Sequence, residues 1–141
     1  MAALMLYLAD TSAWHRATHP EVAAAWEGRL MDDSLATCSQ VRLEILYSAR
    51  SADDYDRLAA ELTALHQLPC GADELERALE IQQALARRGG LHHRSVKIPD
   101  LIIAATAEAA GAVLWHYDED YDRIAAITGQ PVEWIADRGL L

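Results

Sequence analysis

The sequence predicts an α/β protein in which a mostly parallel central sheet of four or five strands lies between two layers of helices. Short apolar runs of strand length alternate along the chain with longer segments of helical periodicity. Because parallel strands need long crossover connections, this alternation favours a three-layer α/β/α arrangement with helices on both faces of the sheet. A length of 141 residues and a hydrophobic content of 52% suit one globular domain, which we expect to span residues 1–141.

The first half of the chain opens with an apolar run at residues 4–9. Its length without helical periodicity predicts a buried strand that ends at Asp10. Thr11 and Ser12 can cap a helix after it, and His19-Pro20 opens a second helical stretch that ends at about Met31. The other elements expected here are a strand at 35–38, helices at 41–50 and 55–64, and a strand at 65–68.

The second half contains the two best-marked helices. Asp73 followed by Glu76 predicts a capped helix start, and that helix should end before Gly89. Pro99 suits the first turn of a helix over 98–110, which Gly111 should end. The remaining elements expected are a strand at 113–115, a helix at 121–127 and a strand at 132–135.

Composition excludes several other classes of protein. No apolar run reaches the roughly 18 residues of a membrane helix, and the start lacks the pattern of a secretion signal, so we expect a cytoplasmic protein without a membrane partner. Cys38 and Cys70 stand alone in the sequence, which argues against a zinc site or a disulfide framework.

The charge of the chain is strongly negative but unevenly placed. A formal net charge of −10 is unusual for a nucleic-acid-binding protein, because phosphate binding normally uses a basic surface. Arg87, Arg88, Arg94 and Lys97 fall in a stretch without acids, which leaves 8 basic and 22 acidic residues elsewhere. Two bound divalent ions would cancel four of those negative charges.

Asp100 is the most informative acid in the sequence. Its helical neighbours at i+3, i+4 and i+7 are Ile103, Ala104 and Ala107, which form an apolar face. The alternative is a solvated first-turn acid that the helix dipole stabilises by about 0.3–1 kcal/mol. An apolar face predicts burial instead, and a buried carboxylate needs a cation or hydrogen bonds.

Three further acids can join Asp100 at one edge of the sheet. Asp10 and Asp118 each follow a predicted strand, although Asp10 could equally cap the next helix. Glu44 has no ion-pair partner at helical spacing, although a helix glutamate is more often a solvated surface group. Charged carboxylates about 5 Å apart repel by roughly 3 kcal/mol per pair at an effective dielectric of about 20. A divalent ion such as Mg²⁺ removes that penalty, since it prefers hard oxygen ligands.

Other chemistries find no support in the sequence. Nucleophile-elbow, P-loop, dinucleotide-binding and HExxH motifs are absent. The spacing of Asp118, Asp120 and Asp122 imitates a calcium loop, but Arg123 and Gly129 replace the required glycine and glutamate. At least two of the acids at 119, 120 and 122 are explained by the helix dipole alone.

Four motifs together resemble the PIN-domain proteins, specifically the VapC-type toxins of type II toxin–antitoxin systems. They are LADTSA at 8–13, RLEI at 42–45, IPDLIIA at 98–104 and HYDEDY at 116–121. Each motif is weak alone, but four in this order cover nearly the whole chain.

The resemblance implies an endoribonuclease that depends on Mg²⁺ or Mn²⁺ and often acts on tRNA or ribosomal RNA. The catalytic and metal-binding acids of the family match Asp10, Glu44, Asp100 and Asp118, with Asp120 as an auxiliary ligand. Thr11 and Ser12 match hydroxyl residues that support the site. The helix dipole does not explain the charges of Arg94 and Lys97, so we expect these two residues to guide RNA toward Asp100. His116 is expected to contact the substrate or an adjacent carboxylate, although a lone histidine near a strand end is usually structural.

The resemblance also implies protein partners. Such toxins form homodimers and are silenced by a VapB-like antitoxin that presents a basic side chain to the acidic site, which suits a chain of this charge. Leu43, Leu46 and Tyr47 form the expected docking surface for the antitoxin, although such residues at helical spacing are more often core.

Two rival functions differ in class. A catalytically silent PIN-like module would keep the fold for binding alone, but the acids are present at all four positions. A phosphoacceptor receiver domain would need paired acids after the first strand and a lysine near the last. Here Ala9 precedes Asp10, and Lys97 is the only lysine.

Overall fold

The computed structural model of the chain describes residues 4–141 and contains one five-stranded sheet. The strands are β1 (Tyr7–Ala9), β2 (Leu35–Thr37), β3 (His66–Gln67), β4 (Val113–His116) and β5 (Val132–Trp134). All neighbouring pairs are parallel and the order is β3-β2-β1-β4-β5. Strands β2, β1 and β4 are therefore flanked on both sides. We call the neighbouring pair β1 and β4, whose carboxyl ends lie side by side, the central strands.

Seven α-helices connect the strands and cover both faces of the sheet. They are α1 (Thr11–Trp14), α2 (Ala23–Met31), α3 (Ser39–Tyr47), α4 (Ala52–Thr63), α5 (Ala72–Arg87), α6 (Ile98–Ala110) and α7 (Asp120–Thr128). A short 3₁₀ turn, His92–Arg94, lies between α5 and α6. The expected three-layer α/β/α fold with a mostly parallel sheet is confirmed, and the sheet has five strands.

Successive side chains of the central strands belong to two separate hydrophobic cores, one on each face of the sheet. Leu8 pairs with Leu114, and the next pair is Ala9 with Trp115. Successive side chains of a strand point to opposite faces, so the leucines and the Ala9–Trp115 pair belong to different layers. The leucines pack with α3, α5, α6 and α7, whereas Ala9 and Trp115 pack with α2.

Several predicted element boundaries were wrong by a few residues. The first strand begins at Tyr7 because Leu4 and Met5, which the apolar run included, are more than half exposed. The last strand likewise ends at Trp134, and the strand predicted at 65–68 is only two residues long. The apolar runs therefore located the strands but did not predict where the hydrogen-bonded pairing of each strand ends.

Two predicted helix starts are corrected. The cap of α5 lies at Gly71, whose N–H donates to Glu74 Oε2 at 3.0 Å, so Asp73 and Glu76 do not form it. Asp10, and not Thr11 or Ser12, caps α1, because its Oδ1 accepts from the Ala13 N–H at 3.0 Å, which confirms the alternative interpretation of Asp10 as a helix cap. The predicted end of α6 is correct, and Gly111 adopts the left-handed conformation there with φ 65°.

An aromatic cluster covers the α2 side of the central strands. Trp26 stacks on Trp115 with ring centroids 5.6 Å apart and an interplanar angle of 12°. Trp14 contacts Trp26 edge-on at 5.5 Å. These rings pack around Ala9, the strand residue that directly precedes Asp10, so their packing supports the backbone that carries Asp10.

Within residues 4–141 no helix is long and apolar enough to cross a membrane.

We expect Trp26→Ala to lower the free energy of unfolding by about 3–5 kcal/mol, because it removes a buried ring from between two others. Met31→Ala is the matched control. It lies on the same helix but is 89% exposed, so it should change stability by less than about 0.5 kcal/mol. Urea unfolding of both variants measures the difference, and equal effects would show that the aromatic cluster contributes no packing energy.

Candidate metal centre

The acids gather at the carboxyl edge of the two central strands. Asp10 follows β1 directly, and its N–H donates to the Trp115 carbonyl of β4 at 3.1 Å. Asp118 follows β4 after one intervening residue. The parallel pairing of β1 with β4 therefore brings together two loops that are far apart in sequence.

Asp100 enters the same region from the first turn of α6. Its residue is 8% exposed, in agreement with the apolar face that its sequence neighbours predicted. The Tyr121 hydroxyl, itself fully buried, donates to Asp100 Oδ1 at 3.1 Å. Asp100 Oδ2 is buried and has no hydrogen-bond partner among residues 4–141. A buried carboxylate oxygen in this state is stabilised by a nearby cation or by a proton.

Three carboxylates form the part of the site that fits a metal ion. Asp100, Asp118 and Asp120 each offer an oxygen, and these three atoms lie within 4.8 Å of one another. Oxygen donors with formal charges suit a hard divalent ion such as Mg²⁺ or Mn²⁺, and the bare oxygen of Asp100 is available to it. We call Asp100, Asp118 and Asp120 the acid cluster.

The electrostatics of the acid cluster favour a bound cation. Burial raises the pKa of the Asp100 carboxyl to about 7, and the negative charge of Asp118 adds to the rise. Burial also raises the pKa of Asp10, although hydrogen bonds from Ser12 and Ala13 oppose it. In both carboxyls burial is the main cause of the raised pKa, so the ionised form of these acids is costly unless a nearby cation stabilises it.

Lys97 provides the positive charge next to the acid cluster. Its Nζ lies 3.1 Å from Asp118 Oδ2, 3.6 Å from Asp120 Oδ2 and 4.0 Å from Asp100 Oδ2. The hydrogen bond to Asp118 is the main reason that the pKa of Lys97 is raised. The sequence suggested that Lys97 guides RNA, and the structure places its ammonium against the acids themselves.

Asp10 is held by hydroxyl and backbone donors. Ser12 Oγ donates to Asp10 Oδ1 at 2.6 Å and accepts from the Tyr117 N–H at 2.9 Å, so one hydroxyl links the loops after β1 and β4. The Tyr121 hydroxyl, which donates to Asp100 Oδ1, also opposes the rise in the pKa of Asp10. Asp10 is outside the acid cluster.

Glu44 lies farther from the acid cluster than the sequence suggested. It is half-buried on α3 and accepts a hydrogen bond from Thr11 Oγ1 and another from Gln40 Nε2 at 3.3 Å. Thr11 follows Asp10 directly, so Glu44 contacts the loop that begins at Asp10. Glu44 does not belong to the acid cluster. Thr11 and Ser12 thus each hold one acid through a hydroxyl.

Asp118 and Asp120 are fixed by the start of α7. The Asp120 N–H donates to Asp118 Oδ1 at 3.0 Å, which orients the first carboxylate. Arg123 Nη1 donates to Asp120 Oδ1 at 2.9 Å and leaves the other oxygen facing Lys97. Asp120, which the resemblance suggested as an auxiliary ligand, is therefore as well placed as Asp118.

His116 is corrected from a residue expected to contact substrate to a core residue. It is fully buried between Tyr121 and Trp134, with ring centroids 5.1 Å and 5.0 Å away. Its Nδ1 accepts from the Asp118 N–H at 3.1 Å, and burial lowers its pKa to about 4. A neutral His116 therefore shapes the turn that carries Asp118 and has no surface with which to reach a substrate.

Two side chains at this site were not predicted from the sequence. Tyr121 and Arg123 hold the acids, but nothing in the spacing of the run 118–123 distinguishes them from an ordinary helical turn. Arg94 is exposed and has no ion pair in the part of the chain that the structure describes. It is free to contact another molecule.

Known proteins share both the sequence pattern and the fold. The sequence pattern of the PIN domain family matches residues 7–127. Ribonuclease VapC18 of Mycobacterium tuberculosis is 59% identical over 97% of this chain and 100% of its own length. Ribonuclease VapC21 of the same species is 47% identical over 94% of this chain and 96% of its own length.

A solved structure agrees with the fold. The DNA-bound VapBC complex from Salmonella typhimurium contains a chain that superposes with a TM-score of 0.73 at 20% identity. The superposition covers 94% of this chain and 99% of that one. The family match, the identity to full-length relatives and this shared fold agree, and the chain belongs to the PIN-domain family, within its group of VapC ribonucleases.

Proposed function

We propose that this protein is a Mg²⁺- or Mn²⁺-dependent endoribonuclease that acts as the toxin of a toxin–antitoxin pair. The observation that carries the proposal is the buried, unpartnered Asp100 oxygen within the acid cluster. Relatives named as ribonucleases support hydrolysis of RNA, and structures of VapBC complexes support an antitoxin partner. The RNA is expected to be a tRNA or ribosomal RNA, as the resemblance suggests.

The acid cluster would hold the metal ion. Asp100, Asp118 and Asp120 would supply charged oxygen ligands, and a bound divalent ion activates water and stabilises the charge of the phosphoryl transition state. Asp10 and Glu44 would complete the catalytic acids from the neighbouring loop. Because no protein nucleophile is needed, the task of the chain is to hold these groups in place.

The supporting hydroxyls would keep the catalytic acids in position. Ser12 donates to Asp10, Thr11 donates to Glu44 and Tyr121 donates to Asp100. Each bond fixes one carboxylate oxygen. In Asp100 the other oxygen remains without a hydrogen bond, whereas in Glu44 the other oxygen accepts from Gln40. The buried Tyr121 also restricts water below Asp100, since its ring belongs to the core.

The basic segment between α5 and α6 would guide the RNA. Arg94 is exposed there, and Lys97 lies at the acid cluster three residues later. Cations along this segment would attract phosphates toward an otherwise acidic protein.

The antitoxin would dock on α3. Leu43 is 65% exposed and Tyr47 is 93% exposed, so α3 carries an apolar surface that the chain itself leaves uncovered. Glu44 lies between them in sequence and reaches the loop of Asp10, so a partner on this surface would lie close to the catalytic acids. This arrangement supports an antitoxin that presents a basic side chain to the site.

The expected homodimer would use a different surface. Leu75, Leu79 and Ile98 are 47%, 57% and 65% exposed and line a groove of about 250 Å³ between α5 and α6. The lining of this groove is apolar and includes no residue of α3, so a second copy and an antitoxin would use different residues. The cytoplasmic location remains a prediction, as does the single domain over residues 1–141.

We expect Asp100→Asn to abolish metal-dependent cleavage of tRNA and ribosomal RNA, because it removes the charged oxygen that needs the ion. A loss of at least about 100-fold is expected for a residue that stabilises the transition state. Purified protein is assayed with Mg²⁺, Mn²⁺ or EDTA.

Asp73→Asn is the matched control, since Asp73 is an exposed acid in the first turn of α5. It should cleave as wild type does. Equal behaviour of wild type and Asp100→Asn across all RNAs and metals would favour the catalytically silent binding module instead.

We expect metal affinity to fall as the pH drops below about 7. The raised pKa of Asp100 means that its carboxyl keeps a proton under conditions where an ordinary aspartate has lost it. A divalent ion must displace that proton, so the apparent affinity should decrease by up to about tenfold per pH unit below the pKa. Calorimetric titration with Mn²⁺ between pH 6 and 8 measures this. Affinity that is constant over the range would contradict Asp100 as a ligand.

We expect the double variant Leu43→Asp, Tyr47→Asp to bind the cognate antitoxin at least about tenfold more weakly, because charges replace exposed apolar contacts. Met31→Asp is the control, as an equally exposed apolar residue on another helix. Binding is measured by calorimetry, with circular dichroism as a check on folding. Unchanged antitoxin affinity in the double variant would rule out the α3 surface.

A further inference from the structure

The ammonium of Lys97 lies beside the carboxylate oxygens of the acid cluster. It is within 4.0 Å of all three carboxylates of the acid cluster, at 3.1, 3.6 and 4.0 Å. Lys97 is the only lysine in the chain and directly precedes α6, the helix that carries Asp100. No other cationic side chain among residues 4–141 contacts more than one member of the acid cluster.

Arg123 shows what a purely structural ion pair looks like at the same site. It contacts Asp120 Oδ1 at 2.9 Å and Glu119 at 3.1 Å, on the side of Asp120 turned away from Lys97. Lys97 instead faces the Oδ2 atoms of all three acids, including the buried Asp100 oxygen that lacks a hydrogen bond. Oδ1 of each of these acids accepts a hydrogen bond within the protein, so the Oδ2 atoms that Lys97 faces are the ones left for a metal ion.

The ammonium and a divalent ion exclude each other from this position. Both need the same Oδ2 atoms, and two cations within about 4 Å of each other repel strongly in a partly buried site. Lys97 can leave at little cost, because its side chain is 68% exposed and ends a flexible four-carbon stem. Asp100 and Asp120 cannot move away in the same manner, since their side chains are only 11% and 7% exposed.

We propose that Lys97 is an internal counter-ion that holds the acid cluster together in the metal-free protein and is displaced by the incoming divalent ion. This inference rests on the proposed metal site. Lys97 then sets the metal concentration at which the enzyme becomes active, because every binding event must break its three contacts. The displaced ammonium becomes available to phosphate on the basic segment.

The test compares Mn²⁺ binding to wild type, Lys97→Gln and Arg123→Gln by electron paramagnetic resonance at pH 8. Both variants lose one positive charge that contacts Asp120. Lys97→Gln frees Oδ2 of all three acids, whereas Arg123→Gln frees Asp120 Oδ1 and an oxygen of Glu119. We expect Lys97→Gln to bind Mn²⁺ about three- to tenfold more tightly than wild type, and Arg123→Gln to change affinity by less than about twofold.

Thermal unfolding provides a second readout that does not depend on activity. In EDTA, Lys97→Gln should melt at a lower temperature than wild type, because the acids repel without their counter-ion. Saturating Mn²⁺ should raise the melting temperature of Lys97→Gln by more than that of wild type.

Each outcome decides the matter. Tighter binding confined to Lys97→Gln, together with the larger rise in melting temperature, supports displacement. Equal gains in both variants would show a general effect of charge, and unchanged or weaker binding in Lys97→Gln would show that Lys97 does not compete with the ion. Either result overturns the inference and leaves the metal site standing. Failure of wild type and both variants to bind Mn²⁺ would overturn the metal site as well.

Discussion

Repulsion among carboxylates at the carboxyl edge of a parallel sheet is the constraint on which the rest of this structure depends. The pairing of β1 with β4 brings Asp10 close to the turn of Asp118, and α6 adds a buried Asp100. Packed acids of this kind cost several kcal/mol unless cations and hydrogen bonds compensate them. The aromatic and leucine cores on either face of the sheet provide the stability that lets the fold hold such a site.

The protein supplies hydrogen bonds to some of these acids and leaves one buried oxygen without any, and this difference determines the chemistry of the site. Ser12 and Thr11 supply hydroxyl donors to Asp10 and Glu44, so these two acids are partly satisfied within the protein. Asp100 keeps one buried oxygen without a hydrogen bond, and the burial that isolates it also raises its pKa to about 7. A site organised in this way binds a proton, an ammonium or a divalent ion in turn, according to pH and metal concentration.

The sequence predicted the features that depend on local pattern and missed those that depend on side-chain direction. Alternation of strands and helices was enough for the three-layer fold, and the apolar neighbours of Asp100 were enough for its burial. His116 was misplaced because it ends a strand, and one step along a strand decides between core and solvent. The position of Lys97 against three acids depends on how α6 meets α7, which no spacing within either segment records.

The order of the strands has a consequence for the synthesis of the protein. Asp10 and Asp118 are 108 residues apart in the chain, and β1 gains its partner β4 only when residue 113 has emerged from the ribosome. Until then the edge of β1 that pairs with β4 has no partner strand. The acids that follow these two strands, Asp10 and Asp118, therefore cannot come together. A nuclease built this way has no assembled centre during most of its own translation, because the acids that form the site meet only after β4 and the turn of Asp118 have been made.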